Sequence, residues 1–283
     1  MNIRIAAVQP RSHHGADEHL NGPDAVAWMA EAAEAGADLV VFPEGYPGPT
    51  HPASSFDAFG PLADTAREHG LHVVAGRIEP VANGEGHYVT VSLIDDSGQI
   101  VSTYRRTSPV GPYVYHDLDI WQVDYVESPD PPKVVDTRLG RIGMLVCSEV
   151  YVPELSRILA VQGADLIVYP AGGAINELLP GWRTLLWARA VENLVYTAAS
   201  QNLYAPDEEG VGQIASPEGV LAASAQEGLL VADLDLDRLE YLRGEDEQIV
   251  FPKPYDAIPG ILRWRRPELY RGLTEEHVEA GTR

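Results

Sequence analysis

The sequence predicts a layered α/β fold, and three observations carry that reading. Short apolar runs alternate with longer amphipathic stretches in both halves of the chain, as a sheet faced by helices requires. Glycines stand where the helical stretches stop, at Gly36, Gly70 and Gly163. No low-complexity linker divides the 283 residues, and no short repeat is visible. One domain over residues 1–243 is expected, with residues 244–283 as a C-terminal extension that is polar and Pro-rich apart from Ile258 to Leu262.

The elements follow in order. Ile3 to Val8 reads as a first strand, and Pro23 to Ala35 as a helix opened by its proline. Asp38 to Phe42 is a buried strand running into Pro43-Glu44. Residues 61–69 are helical, and His72 to Gly76 is a strand. Tyr88 to Ile94 and Gln99 to Tyr104 form a hairpin around Asp95-Asp-Ser-Gly98. Residues 107–132 carry prolines, tyrosines and acids without a period, the mark of a long functional loop. Ile142 to Val146 is a buried strand closed by Cys147. A helix over 153–162, a strand from Asp165 to Tyr169, a helix from Trp182 to Leu194 and a strand from Val195 to Ser200 come next. Val211 to Ile214, Val220 to Ala223 and Leu229 to Leu234 are short strands, and Asp235 to Arg243 is the last helix.

Composition narrows the function classes. The net charge of −22 is spread along the chain, so nucleic acid and anionic membrane surfaces would repel it. The opening MNIRIAAVQP has no apolar core of a secretory signal, and no run approaches a membrane span. A cytoplasmic protein with no nucleic-acid or membrane partner is expected. A single cysteine excludes an internal disulfide and a cysteine zinc cluster, and no metal or organic cofactor is implied.

Two strand-end loops carry candidate chemistry, Pro43-Glu44-Gly45 and Cys147-Ser148-Glu149, with the basic pair Arg105-Arg106 at the end of the hairpin as a third. Open α/β folds place reactive groups at the carboxyl ends of strands. A thiol needs a base to attack near neutral pH, a carboxylate at a neighbouring strand end supplies one, and a nearby cation stabilises an oxyanion. Each feature has a plainer explanation: a buried small hydrophobe, a loop cap, a solvated strand end.

The order of motifs resembles the nitrilase superfamily of carbon–nitrogen hydrolases, from Ile3 to about Tyr270. Ala35-Gly-Ala-Asp-Leu-Val-Val-Phe-Pro-Glu44 is similar to the segment that delivers the family's general-base glutamate. Gly140-Arg-Ile-Gly-Met-Leu-Val-Cys-Ser-Glu149, followed by Pro153-Glu154, is similar to its nucleophile segment. Ile5-Ala-Ala-Val-Gln-Pro10, Gly163 to Pro170, Trp182 to Asn193 and Leu229 to Asp235 match in the expected order. The resemblance implies a four-layer α-β-β-α sandwich that pairs into a homodimer or higher homo-oligomer, with the C-terminal extension at the dimer interface. It implies that Cys147 attacks an amide or nitrile carbon, that Glu44 is the base and that the backbone N–H of Ser148 is an oxyanion donor.

The pattern breaks at the family's lysine. The Tyr-Arg-Lys-like segment reads Tyr104-Arg105-Arg106-Thr107, so Arg106 stands at the lysine position; the chain's two lysines, Lys133 and Lys253, lie elsewhere. The family's second glutamate falls near Val114, among Tyr113, Tyr115, His116 and Asp117. Arginine stays protonated, so Arg106 stabilises charge but passes no proton. Its fork also grips carboxylates, which suggests a small-molecule substrate carrying one, or an ion pair with Glu44 or Asp117. Glu149, Tyr151 and Tyr113 are candidate oxyanion or substrate-binding residues, with Glu149 favoured as a brace of the nucleophile loop. Arg189 and Glu192 are read as structural partners, and Trp182 and Trp187 as packing. The leading expectation is a thiol-dependent amidase or ureido-acid hydrolase working through a Cys147 thioester, ahead of a nitrilase. The alternatives are a nitrilase-like binding or regulatory protein, and an acyl-transferring, amide-forming enzyme.

Overall fold

Strand β1 (Asn2–Gln9) shows how the layers arise. Its side chains alternate between two buried faces, Ile3, Ile5 and Ala7 on one and Ala6 and Val8 on the other, so both faces of its sheet are covered. The computed structural model describes residues 1–50, 54–82, 84, 86–108, 125–173, 176–244 and 265–274. Among these residues the first sheet has the order β12-β1-β2-β3-β4-β5. Its further strands are β2 (Leu39–Val41), β3 (His72–Pro80), β4 (His87–Ile94), β5 (Ile100–Arg105) and β12 (Gly228–Asp235). The second sheet has the order β11-β10-β9-β8-β7-β6. It comprises β6 (Val134–Thr137), β7 (Gly140–Met144), β8 (Leu166–Ala171), β9 (Tyr196–Gln201), β10 (Gln213–Ser216) and β11 (Gly219–Ala223).

The two sheets repeat one scheme. Three parallel strands, β1-β2-β3 or β7-β8-β9, continue into an antiparallel hairpin, β4-β5 or β10-β11. An antiparallel strand, β12 or β6, closes the opposite edge. Helices α1 (Asn21–Glu34) and α2 (Phe59–His69) cover the outer face of the first sheet. There Met29, Phe59 and Leu62 pack against Val8, Val40, Phe42 and Val73. Helices α3 (Pro153–Val161) and α4 (Leu179–Asn193) flank the second sheet, and α5 (Leu236–Arg243) follows β12. The larger core joins Ile5, Leu39, Val41 and Val74 of the first sheet to Ile142, Met144, Leu166 and Val168 of the second. This is the expected four-layer α-β-β-α sandwich.

Three of the departures from expectation are instructive. Strand β7 ends at Met144, because the Val146 N–H leaves the ladder for Glu149 Oε2 at 2.8 Å. Strand β10 is displaced to Gln213–Ser216, with a register shift inside it between Ile214 and Ala215, and Ser216 Oγ accepts the turn N–H groups of Glu218 and Gly219. Strand β6 is short and half-buried, with no period to announce it. Of the C-terminal extension, residues 265–274 are described and form two short 3-10 turns.

Candidate active site

The site is built from both sheets. Glu44 follows β2, Arg106 follows β5, and Cys147 follows β7 after the apolar residues Leu145 and Val146. All three side chains are buried, at 1%, 1% and 2% exposure. Cys147 adopts φ +53°, a left-handed conformation that costs a non-glycine residue roughly 1–2 kcal/mol. It opens a 3-10 turn, Cys147–Tyr151, that leads into α3 at Pro153. The thiol thus sits on a sharp strand-to-helix turn rather than on the strand itself.

Charges converge on the sulfur. The Glu44 carboxylate, the Arg106 guanidinium and the Gly172 N–H all act on the buried Cys147 thiol. Burial and then the Glu44 charge push the thiol from an ordinary value near 9 up to about 12, against the pull of Arg106 and the Gly172 N–H. Arg106 Nη1 donates to Glu44 Oε1 at 2.7 Å, Nη2 donates to the Ser148 hydroxyl, and Nε donates to the Ser108 carbonyl at 3.2 Å. This fully buried ion pair fixes the orientation of the Glu44 carboxylate and the Arg106 fork.

Both partners are fixed through their backbones. Asn202 Nδ2 donates to the Glu44 carbonyl at 2.8 Å, Ser12 Oγ donates to Asn202 Oδ1 at 2.6 Å, and the Glu44 N–H reaches the Ala171 carbonyl at 3.3 Å. The Arg106 N–H donates to Val89 O at 2.9 Å, and its carbonyl accepts from the Ser128 N–H at 3.1 Å. Gly76 leaves room for the Glu44 turn, since a Cβ there would lie 2.5 Å from the Gly45 nitrogen. Gly76→Ala is expected to cost about 1–3 kcal/mol by overpacking and to lower activity by shifting Glu44. A urea melt paired with an initial-rate assay checks both.

Glu149 is fully buried and braces the nucleophile turn, as the sequence favoured. Its Oε1 accepts the Tyr104 hydroxyl and the Thr107 N–H and hydroxyl, each at 2.8 Å, and the Ser108 N–H at 3.2 Å. Its Oε2 accepts the Val146 N–H. The same carboxylate therefore ties the segment carrying Arg106 to the segment carrying Cys147. Glu149→Gln turns an amide N–H₂ toward donors and is expected to destabilise the protein by roughly 2 kcal/mol. The urea midpoint of the variant measures it.

Ser148 meets Arg106 through its hydroxyl, a contact not foreseen from sequence. Tyr151 is 47% exposed and stands edge-on to Trp182, with ring centroids 5.7 Å apart. Burial and then the Cys147 charge raise its phenol pKa. Tyr113, with Val114, Tyr115, His116 and Asp117, lies outside the described residues. Arg189 and Glu192 pair at 2.7 Å as expected, and Trp182 is buried. Trp187 departs from its expected packing role, being 42% exposed on α4. Sequence reasoning missed Tyr125 and Tyr204. Burial drives the Tyr125 phenol pKa far up, with Glu44 and Tyr204 adding to the rise and Arg106 opposing it. No periodicity marked either tyrosine. Among the described residues no group of three His, Cys, Asp or Glu side chains is placed to hold a metal ion.

Known proteins resemble this chain over most of its length. Residues 4–243 match the carbon–nitrogen hydrolase family. A deaminated glutathione amidase of Synechocystis sp. is 30% identical over 257 residues, covering 84% of this chain and 93% of that protein. An N-carbamoylputrescine amidase of Solanum lycopersicum is 28% identical over 235 residues, covering 75% of this chain and 71% of that protein. A mutant amidase of Nesterenkonia sp. AN1, solved with the acetamide moiety of fluoroacetamide covalently on its active-site cysteine, superposes with a TM-score of 0.74. It is 26% identical, with 95% of this chain and 96% of that chain covered. The chain belongs to the carbon–nitrogen hydrolase family of the nitrilase superfamily.

Proposed function

We propose that this protein hydrolyses the carbon–nitrogen bond of a small amide through a thioester on Cys147. The observation that carries the reading is a buried Cys147 thiol under the charge of Glu44, whose carboxylate pairs with Arg106 at 2.7 Å. As Sγ attacks the carbonyl carbon, Glu44 takes the thiol proton. The oxyanion forms beside the Ser148 N–H and the Arg106 charge. Glu44 passes its proton to the departing ammonia, then takes one from the water that attacks the thioester, and the second collapse returns that proton to sulfur. Arg106 stays charged throughout, so every transfer runs through Glu44.

The names of the relatives support amides and ureido compounds ahead of nitriles. The Arg106 fork is engaged by Glu44 and Ser148, so a substrate carboxylate would be met elsewhere in the pocket. Incubation with a panel of aliphatic amides, ureido acids and nitriles tests the reading. Ammonia release with a quench-trapped acyl adduct on Cys147 is expected from an amide. Absence of both across the panel overturns it, and transfer of the acyl group to an added amine instead of water would favour an amide-forming enzyme.

A further inference from the structure

An arginine beside a carboxylate settles by preference into a two-point pair, with parallel N–H groups on both oxygens. Each such bond favours the charged carboxylate and weakens it as a proton acceptor. A guanidinium gripping Glu44 in this way would blunt the base it accompanies. The observed fork is split instead. Nη1 donates to Glu44 Oε1 at 2.7 Å, whereas Nη2 donates to the Ser148 hydroxyl.

The split depends on that hydroxyl. Nε donates to the Ser108 carbonyl at 3.2 Å, which holds the stem and leaves the terminal nitrogens to follow their acceptors. Arg106 is buried, so an N–H that lost Ser148 would need another acceptor, and the carboxylate already bonded to Nη1 is at hand. Ser148 directly follows Cys147 in the half-buried part of the 3-10 turn, so the arginine is referred to the residue next to the nucleophile. Glu149 separately ties this turn to the Thr107 and Ser108 N–H groups. The two segments therefore stay joined without the Ser148 hydroxyl, and its contact sets only the fork.

We infer that Ser148 is a positioning residue: its hydroxyl holds the Arg106 fork open, so that Glu44 is paired at one point and keeps its capacity to take the Cys147 proton. The inference rests on the reading of Glu44 as the base of a Cys147 nucleophile.

Iodoacetamide tests it without any amide, since Sγ displaces iodide from the methylene carbon and the thiol proton passes to Glu44. Ser148→Ala keeps the backbone N–H and removes the hydroxyl. Its alkylation of Cys147 at pH 7 is expected to be about tenfold slower than in the wild type, the scale of one charge-assisted hydrogen bond. The rate should then climb between about pH 6 and 9, as free thiolate takes over from base-assisted attack. Ser148→Thr restores an acceptor and is expected to react within about twofold of the wild type. In Arg106→Lys there is no fork to close, so adding Ser148→Ala should change the rate by less than about twofold. Equal rates in the wild type and Ser148→Ala overturn the inference. So does equal slowing in the Arg106 and Lys backgrounds, the result of a purely structural role. Alkylation as expected with no ammonia released from any amide would overturn the amidase reading and leave this inference standing.

Discussion

Cys147→Ala is expected to lower amide turnover by at least about 10⁴-fold while leaving the fold in place, because removing an attacking nucleophile removes the covalent route altogether. The protein has no other cysteine to substitute. The pH dependence of alkylation shows how the thiol is activated. With its pKa pushed up to about 12, the thiol is protonated across the neutral range, so free thiolate is scarce. The sign matters: a raised thiol pKa makes attack depend on proton removal at the moment of reaction, and Glu44 is positioned for it. Iodoacetamide inactivation is therefore expected to be nearly flat between about pH 6 and 9, because Glu44 removes the proton as the sulfur reacts. In Glu44→Gln the slower reaction should rise about tenfold per pH unit over the same range, as free thiolate becomes the attacking species. A wild-type profile that climbs and levels near the ordinary thiol pKa would show a pre-ionised sulfur and overturn this account.

Arg106→Ala has the second-largest expected effect, and it acts on two properties at once. Loss of the charge beside the developing oxyanion is expected to lower kcat/KM by about 10²–10³-fold. The Glu44 carboxylate is then left buried without its cation, a change that costs roughly 3–5 kcal/mol in comparable pairs. Arg106→Lys separates the two. Lysine restores a charge near Glu44 but lacks the second nitrogen that reaches Ser148, so it should recover most of the stability and only part of the rate. Urea midpoints and initial rates on one amide, measured side by side, decide it. Unchanged turnover in Arg106→Ala would remove Arg106 from the reaction.

The parts of the site that could be read in the sequence are those announced by a buried strand. Glu44 and Cys147 stand just beyond apolar runs, and Arg106 ends a hairpin with an evident turn at Asp95-Asp-Ser-Gly98. What could not be read depends on contacts between distant positions. Asn202 meets Glu44 across 158 positions of chain, and its sequence neighbours carry no motif that foretells it. Glu149 could be recognised as a brace, yet its capture of the Val146 N–H shortens β7 and turns Cys147 off the strand, which no periodicity shows. Tyr125 lies within the 107–132 stretch and strand β6 begins just beyond it, where side-chain spacing holds little information. The layered α/β class was legible because strand and helix alternate in both halves, while the count of four layers rested on the resemblance to the nitrilase superfamily.

Glu44 and Arg106 belong to one sheet and Cys147 to the other, with Asn202 stitching the Glu44 turn to the second sheet. The chemistry therefore reads the gap between two slabs. A sub-ångström slide of one slab over the other parts the base from the sulfur while every strand keeps its ladder. Residues such as Ile5, Leu39, Ile142 and Val168, remote in role from any bond-making, act as spacers that set this gap. Turnover should accordingly be a finer gauge of interlayer packing than any spectroscopic measure of secondary structure, fading under mild denaturant while the sheets still register as intact.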